Sequence, residues 1–152
     1  MMLQGGIETK ARWKIGIVTA RFNSEITEKL EDGAYRQLLD MGMKSEQIVR
    51  VRVPGAVEIP LAAQRLMAAS CDAVIALGAV IQGETKHFDY VCQTVERGCM
   101  RVMLDSQKPV VFGVLTTDND AQAEDRVGGK HGHKGRDAAA TAIEMLNLMD
   151  QI

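Results

Sequence analysis

The stretch of this chain best suited to chemistry is the turn Gly83-Glu84-Thr85 with His87 just beyond it. A turn of small and hydroxyl-bearing residues at the start of a helix points several backbone N–H groups at one place, where the positive end of the helix dipole adds to their pull on phosphate. An imidazole, with an unperturbed pKa of about 6.5, can take up and return protons beside such a cradle. The plainer reading is that the turn is only a connection and His87 a surface residue. Arg126 and Lys134 flank the glycine-rich run 128–135 and are either a solvated basic face or further anion ligands. Phe22 lies in a loop and is either a core plug or a platform for a planar heterocycle. His131 and His133 raise the question of a metal, but only Asp137 offers another ligand nearby, so no metal is expected.

These groups need elements to hold them. Ala73 to Ile81 is an almost unbroken apolar run with β-branched residues, too short to span a bilayer, and reads as a strand buried on both faces. It runs into the Gly83-Glu84-Thr85 turn, and a helix from about Phe88 to Asp105 follows. Trp13 to Thr19 predicts a first strand, and Ser24 can cap a helix in which Ile26, Leu30, Ala34, Leu38 and Met41 share a face, closed by Gly42. Ile48 to Val53 alternates strictly, with Arg50 and Arg52 on its less buried side. Pro54-Gly55 stops it, and Glu58-Ile59-Pro60 opens a helix that reaches about Ser70. Val110 to Leu115 is a fourth strand, Thr116 to Asn119 a polar turn capping a short helix through Arg126, and Arg136 to Met149 the last helix.

Strands alternating with helices imply a parallel sheet with right-handed crossovers and helices on both faces. The expected architecture is a three-layer α/β/α sandwich of flavodoxin-like type, with a four-stranded parallel sheet in the order 2-1-3-4. Ligands bind beyond the carboxyl ends of such strands, near the reversal of strand order. This predicts a common rim for Phe22, Asn23, the run Gly55 to Glu58, the run Ala79 to Thr85, and Phe112. Residues 13–152 form one domain, and residues 1–12 read as an N-terminal arm, either disordered or pairing with a neighbouring subunit.

Composition narrows the classes. A net charge of −2 gives no electrostatic case for nucleic acid or an anionic membrane. No apolar run is long enough for a membrane span, and the expected compartment is the cytoplasm. Cys71, Cys92 and Cys99 have no metal-ligand spacing and read as buried thiols, with Cys92 and Cys99 both expected toward the core.

Four runs then carry a resemblance. They are Ala20-Arg21-Phe22-Asn23, the run Val53 to Ala62, the run Ala76 to Tyr90, and the run Phe112 to Asp118. Together, in this order and with almost no length changes from about Lys14 to Leu148, they closely resemble the 6,7-dimethyl-8-ribityllumazine synthase family. The resemblance implies the penultimate step of riboflavin biosynthesis: condensation of 5-amino-6-(D-ribitylamino)uracil with 3,4-dihydroxy-2-butanone 4-phosphate, without cofactor or metal. It implies that Phe22 stacks on the pyrimidine, with Asn23 beside it. Ala56, Val57 and Glu58 would hold the ribityl side, and Ala79, Val80 and Ile81 the uracil edge. Glu84, Thr85 and Arg126 would bind phosphate, His87 would carry protons, Lys134 would be an accessory cation, and Phe112 would come from an adjacent subunit.

The resemblance further implies a homopentamer, with twelve pentamers closing into an icosahedral shell and riboflavin synthase as a further partner. The chain departs from the family pattern at Val57, where Phe is common, at Gln82, where Arg is common, and at His133, where Asn is usual. A flavodoxin-like electron carrier would need a glycine- and hydroxyl-rich loop after strand one, and a phosphoacceptor module an aspartate after strand three. This chain has neither feature. The alternative kept beside the enzyme is a catalytically reduced family member that binds flavin or builds a shell.

Overall fold

The computed structural model describes residues 1–152. Strands β1 (Ile15–Ala20), β2 (Ile48–Val53), β3 (Ala73–Ile81) and β4 (Val110–Thr117) form one parallel sheet in the order β2-β1-β3-β4. Helices α1 (Ser24–Asp40) and α5 (Lys134–Met149) cover one face, and α2 (Ile59–Ala68) and α3 (His87–Ser106) the other. The expected α/β, flavodoxin-like sandwich and its strand order are therefore observed. No helix is long and apolar enough to cross a membrane.

Alternation along the strands feeds two cores. Ile15, Ile17, Ile75 and Leu77 meet Leu30, Leu38 and Ile143 on the α1 and α5 side. Val18, Val74 and Ala76 meet Ile59, Val95 and Cys99 on the α2 and α3 side. All six residues of β1 are buried, as a strand with neighbours in the sheet and helices on both faces requires. Each fully buried aliphatic side chain contributes roughly 1.5–3 kcal/mol of transfer free energy. Cys71 and Cys99 are buried and Cys92 is only half-buried, so the expectation for Cys92 needs that correction. Burial pushes the Cys99 thiol up to about 11, which keeps it protonated and unreactive at neutral pH.

Element ends differ from expectation where side chains decide them. Strand one begins at Ile15 rather than Trp13, and the Trp13 ring is instead a buried plug beneath the Lys10 and Arg12 cations. Strand four runs on to Thr117 because β3 stays paired with it as far as Ile81. Helix α1 closes as expected: Gly42, at φ 108°, donates to the Leu39 carbonyl and Met43 to the Leu38 carbonyl. The short helix α4 (Asp120–Glu124) is capped by Asn119, whose side chain accepts from the Gln122 N–H at 2.9 Å, and it ends before Arg126. The glycine-rich run folds as a small antiparallel hairpin, β5 (Val127–Gly129) and β6 (Gly132–His133).

The first ten residues contain no strand and lie along the end of α5. The buried Asn147 amide donates to the Gly6 and Glu8 carbonyls at 2.9 and 2.8 Å, and Gln151 donates to the Gln4 carbonyl at 2.9 Å. Asp150 pairs with both Lys10 and Arg12, and these partners hold its carboxyl below the usual range.

Helices α1 and α5 approach most closely near the start of α5. A Cβ on Gly135 would stand 2.2 Å from the Leu30 carbonyl oxygen, a backbone atom that cannot swing aside. Replacing a helical glycine by alanine ordinarily stabilises by about 0.5–1 kcal/mol. Here overpacking wins, and Gly135→Ala is expected to destabilise the fold by about 1–3 kcal/mol, measured by urea unfolding at fixed protein concentration.

Candidate active site

The site begins where two neighbouring strands end at different levels. Pairing of β1 with β3 stops at Thr19 opposite Leu77, whereas pairing of β3 with β4 continues from Gly78 to Ile81. The last residues of β3 therefore present a bare backbone edge on the side where β1 has already turned away. Such an edge offers alternating N–H and C=O groups to anything flat that can lie against it.

The chain leaving β1 forms one wall of this notch. Arg21 donates its N–H to the Val53 carbonyl at 2.8 Å and Phe22 donates to the Pro54 carbonyl at 3.1 Å, which tie the loop to the end of β2. Asn23 then adopts a left-handed conformation, φ 62° and ψ 47°, tolerated by asparagine better than by most residues. It takes the N-cap position expected of Ser24, but its amide does not cap the helix. It reaches across and donates to the Ala79 carbonyl at 2.7 Å, bridging the loop to the overrunning strand. Phe22 is left 71% exposed. Of the two uses open to that ring, the core plug is excluded.

The other walls are the turn after β2 and the start of α3. Ala56 is buried, Val57 is exposed, and Glu58 stands at the start of α2, its carboxylate folded back to within 3.1 Å of where a Gly55 side chain would be. The Thr85 hydroxyl accepts the His87 N–H at 3.3 Å, so the side chain of the turn serves its own helix. The N–H groups of Gly83, Glu84, Thr85 and Lys86 donate to no acceptor of the chain. They lie at the positive end of α3, where unpartnered N–H groups can attract an anion. His87, exposed, is the first residue of that helix.

Phe22, Glu58, Ala79, Thr85 and His87 line a single cleft of about 540 Å³, joined there by Ala56, Val57, Val80 and Ile81. Asn23 meets it through Ala79, and Glu84 lies in the turn at its mouth. Phe88 and Val91 also line the cleft and were not foreseen. Their signal was available, since Val91 stands four residues after His87 on one helix face.

Phe112, Arg126 and Lys134 do not join them. They line a different cleft of about 470 Å³, bounded by β4 and α5. Phe112 lies opposite Ala76 in the amino-terminal half of β4 instead of at the carboxyl rim, so the common rim expected for it does not exist within one chain. It is half-exposed on an edge strand. Arg126 Nη1 donates to the Gln122 carbonyl at 2.8 Å, Lys134 Nζ lies 3.6 Å from the Asp137 carboxylate, and the Lys134 N–H donates to the Arg126 carbonyl at 2.8 Å. His131 lies 3.9 Å from Asp125, and no three potential ligating side chains converge anywhere in the chain.

The chain thus carries two separate clefts, one lined by Gly83, Thr85, His87 and the exposed Phe22 ring, the other by Phe112, Arg126 and Lys134. Comparison with known proteins supplies the remaining context. Residues 12–150 match the sequence profile of the family described as 6,7-dimethyl-8-ribityllumazine synthase. A protein of that name from Bdellovibrio bacteriovorus is 53% identical over 91% of this chain and 76% of its own length. Those from Cytophaga hutchinsonii and Coxiella burnetii are 56% identical over 86% of the chain and 83% of the relative, and 48% identical over 95% and 96%. With one profile covering nearly the whole chain and full-length relatives at about half identity, this chain belongs to the 6,7-dimethyl-8-ribityllumazine synthase family.

Proposed function

We propose that this chain condenses 5-amino-6-(D-ribitylamino)uracil with 3,4-dihydroxy-2-butanone 4-phosphate to give 6,7-dimethyl-8-ribityllumazine, phosphate and water, the penultimate step of riboflavin biosynthesis. The observation that carries this reading is the meeting, in the cleft of a member of that family, of the unpartnered turn N–H groups, His87 and Phe22. It favours an enzyme over a flavin-binding or shell-forming relative without catalysis, since a binder has no need of an exposed imidazole beside an anion cradle.

The residues take the following parts. Phe22 stacks on the pyrimidine, whose amide-like edge lies against the bare backbone of Ala79, Val80 and Ile81, with Asn23 bracing that edge through Ala79. Ala56, Val57 and the Glu58 carboxylate hold the ribityl chain. The N–H groups of Glu84 and Thr85 receive the phosphate. The amine of the pyrimidine attacks the ketone, water leaves to form an imine, phosphate is expelled by elimination, and ring closure releases a second water. Every step moves a proton, and His87 serves them in turn. Both substrates are reactive by nature, so holding them in contact supplies much of the acceleration, and the cradle stabilises charge on the departing phosphate.

Phe112, Arg126 and Lys134 complete the site from an adjacent subunit. Their separation from the cleft within one chain supports this, because the two half-sites can meet only between copies. A ring of like contacts closes as a pentamer. The arm, residues 1–12, adds to a neighbouring subunit, its apolar Ile7 being 72% exposed on the isolated chain. Twelve pentamers in an icosahedral shell, with riboflavin synthase as partner and a cytoplasmic location, complete the reading. Light scattering that finds only a small particle at neutral pH overturns the shell.

Mixing the purified chain with both substrates and following lumazine fluorescence tests the activity directly, and absence of product refutes it. His87→Ala is expected to lower kcat by about tenfold to hundredfold with little change in KM, read from steady-state kinetics. Arg126→Ala is expected to raise KM for the phosphate-bearing substrate well above that for the pyrimidine. Co-refolding equal amounts of His87→Ala and Arg126→Ala chains is expected to restore activity at about one quarter of the sites, because each intact site draws its halves from two subunits. No restoration would place both groups in one chain's site.

A further inference from the structure

His133 sits between the two cations of the second half-site and touches the backbone that carries both. Its Nδ1 accepts the N–H of Arg136 at 3.3 Å, which caps the start of α5 one residue before Lys134. In the hairpin it pairs with Val127, next to Arg126, and the Lys134 N–H closes the base on the Arg126 carbonyl at 2.8 Å. The ring is half-buried against α1, lying where a side chain on Gly33 would have to go. A residue seated in this way decides where Arg126 and Lys134 stand without touching a ligand itself.

We propose that His133 is a positioning residue and a proton-sensitive one: uncharged, it caps α5 and holds Arg126 and Lys134 in place, and protonation releases the cap and weakens the anion site. This rests on the assignment of Arg126 and Lys134 as ligands of the phosphate-bearing substrate.

The chemistry of the cap makes the switch. To accept from Arg136, Nδ1 must carry a lone pair, so the neutral ring has its proton on Nε2. A second proton goes to Nδ1, which then faces the Arg136 N–H donor with a donor of its own. It also adds positive charge at the positive end of the helix dipole. The charged surroundings tilt the same way. From α5, Arg136 repels the imidazolium and Asp137 attracts it, with Lys134 alongside. From α1, Lys29 is tied up by Glu124 at 2.7 Å. From the α4 and hairpin side, Asp125 pairs with His131, and Arg126 turns to the Gln122 carbonyl. Burial first and Arg136 second hold the His133 pKa below its ordinary value, outweighing the pull of the His133 and Lys29 carbonyls and of Asp137. A depressed folded-state pKa means that the stability conferred by the cap is fully present above the unfolded value of about 6.5 and is lost as pH falls through the folded value.

Two variants separate cap from charge. His133→Asn keeps an oxygen acceptor at the N-cap that cannot titrate, and His133→Ala has none. Hydrogen exchange by mass spectrometry on the assembled protein, corrected for intrinsic rates, reports protection of the first turn of α5 at about pH 8 and about pH 5.5. The wild type is expected to lose about fivefold in protection on acidification, His133→Asn to lose none, and His133→Ala to be poorly protected at both. Over the same range KM for the phosphate-bearing substrate is expected to rise more in the wild type than in His133→Asn, a comparison in which the substrate's own ionisation cancels. Equal loss of protection in wild type and His133→Asn overturns the switch. Unequal protection with equal changes in KM overturns the positioning role. If Arg126→Ala and Lys134→Ala leave that KM unchanged, the ligand assignment has failed instead, and the exchange result still decides whether His133 is a titrating cap.

Discussion

The structure depends on a mismatch of strand ends. Because β1 turns away at Ala20 while β3 continues to Ile81 on the support of β4, a short piece of sheet is left with helices behind it and nothing beside it. Its backbone groups must find partners, and one is the Asn23 amide on the Ala79 carbonyl. The rest are free to meet a ligand. Everything else in the cleft is arranged around that exposed edge: the loop that swings Phe22 outward, the turn that folds Glu58 back, and the helix start that brings His87 and its cradle over the top.

The turn before α3 shows the same economy. The Thr85 hydroxyl, the obvious polar group of the turn, is occupied by the His87 N–H, and this bond starts α3. What remains is the backbone, with turn N–H groups that donate to no acceptor of the chain and lie at the positive end of α3.

The second cleft is built differently. Phe112 is carried by an edge strand, and Arg126 and Lys134 by a hairpin and a helix start joined through one backbone bond. The two cationic side chains are held by one oxygen-bearing group each, Arg126 by the Gln122 carbonyl of α4 and Lys134 by the Asp137 carboxylate of its own helix. Behind them α1 and α5 come close at Gly135, and the His133 ring fills the space beside Gly33.

Local pattern alone was enough for the four strands, the five helices and their order in the sheet. Apolar runs, helical spacing and punctuation by Gly and Pro are properties of neighbouring residues, and the long motifs made the family legible. The tertiary structure decided what depends on groups far apart in the chain. It sent the Asn23 side chain to Ala79, took Phe112 off the carboxyl rim, and folded the glycine-rich run into a hairpin with His133 as a helix cap. It also divided the expected site into two clefts. Residue types announce which groups can bind an anion or move a proton, but which of them share one cavity is set by strand register and by the packing of helices on the sheet, and neither can be read from residues taken in order.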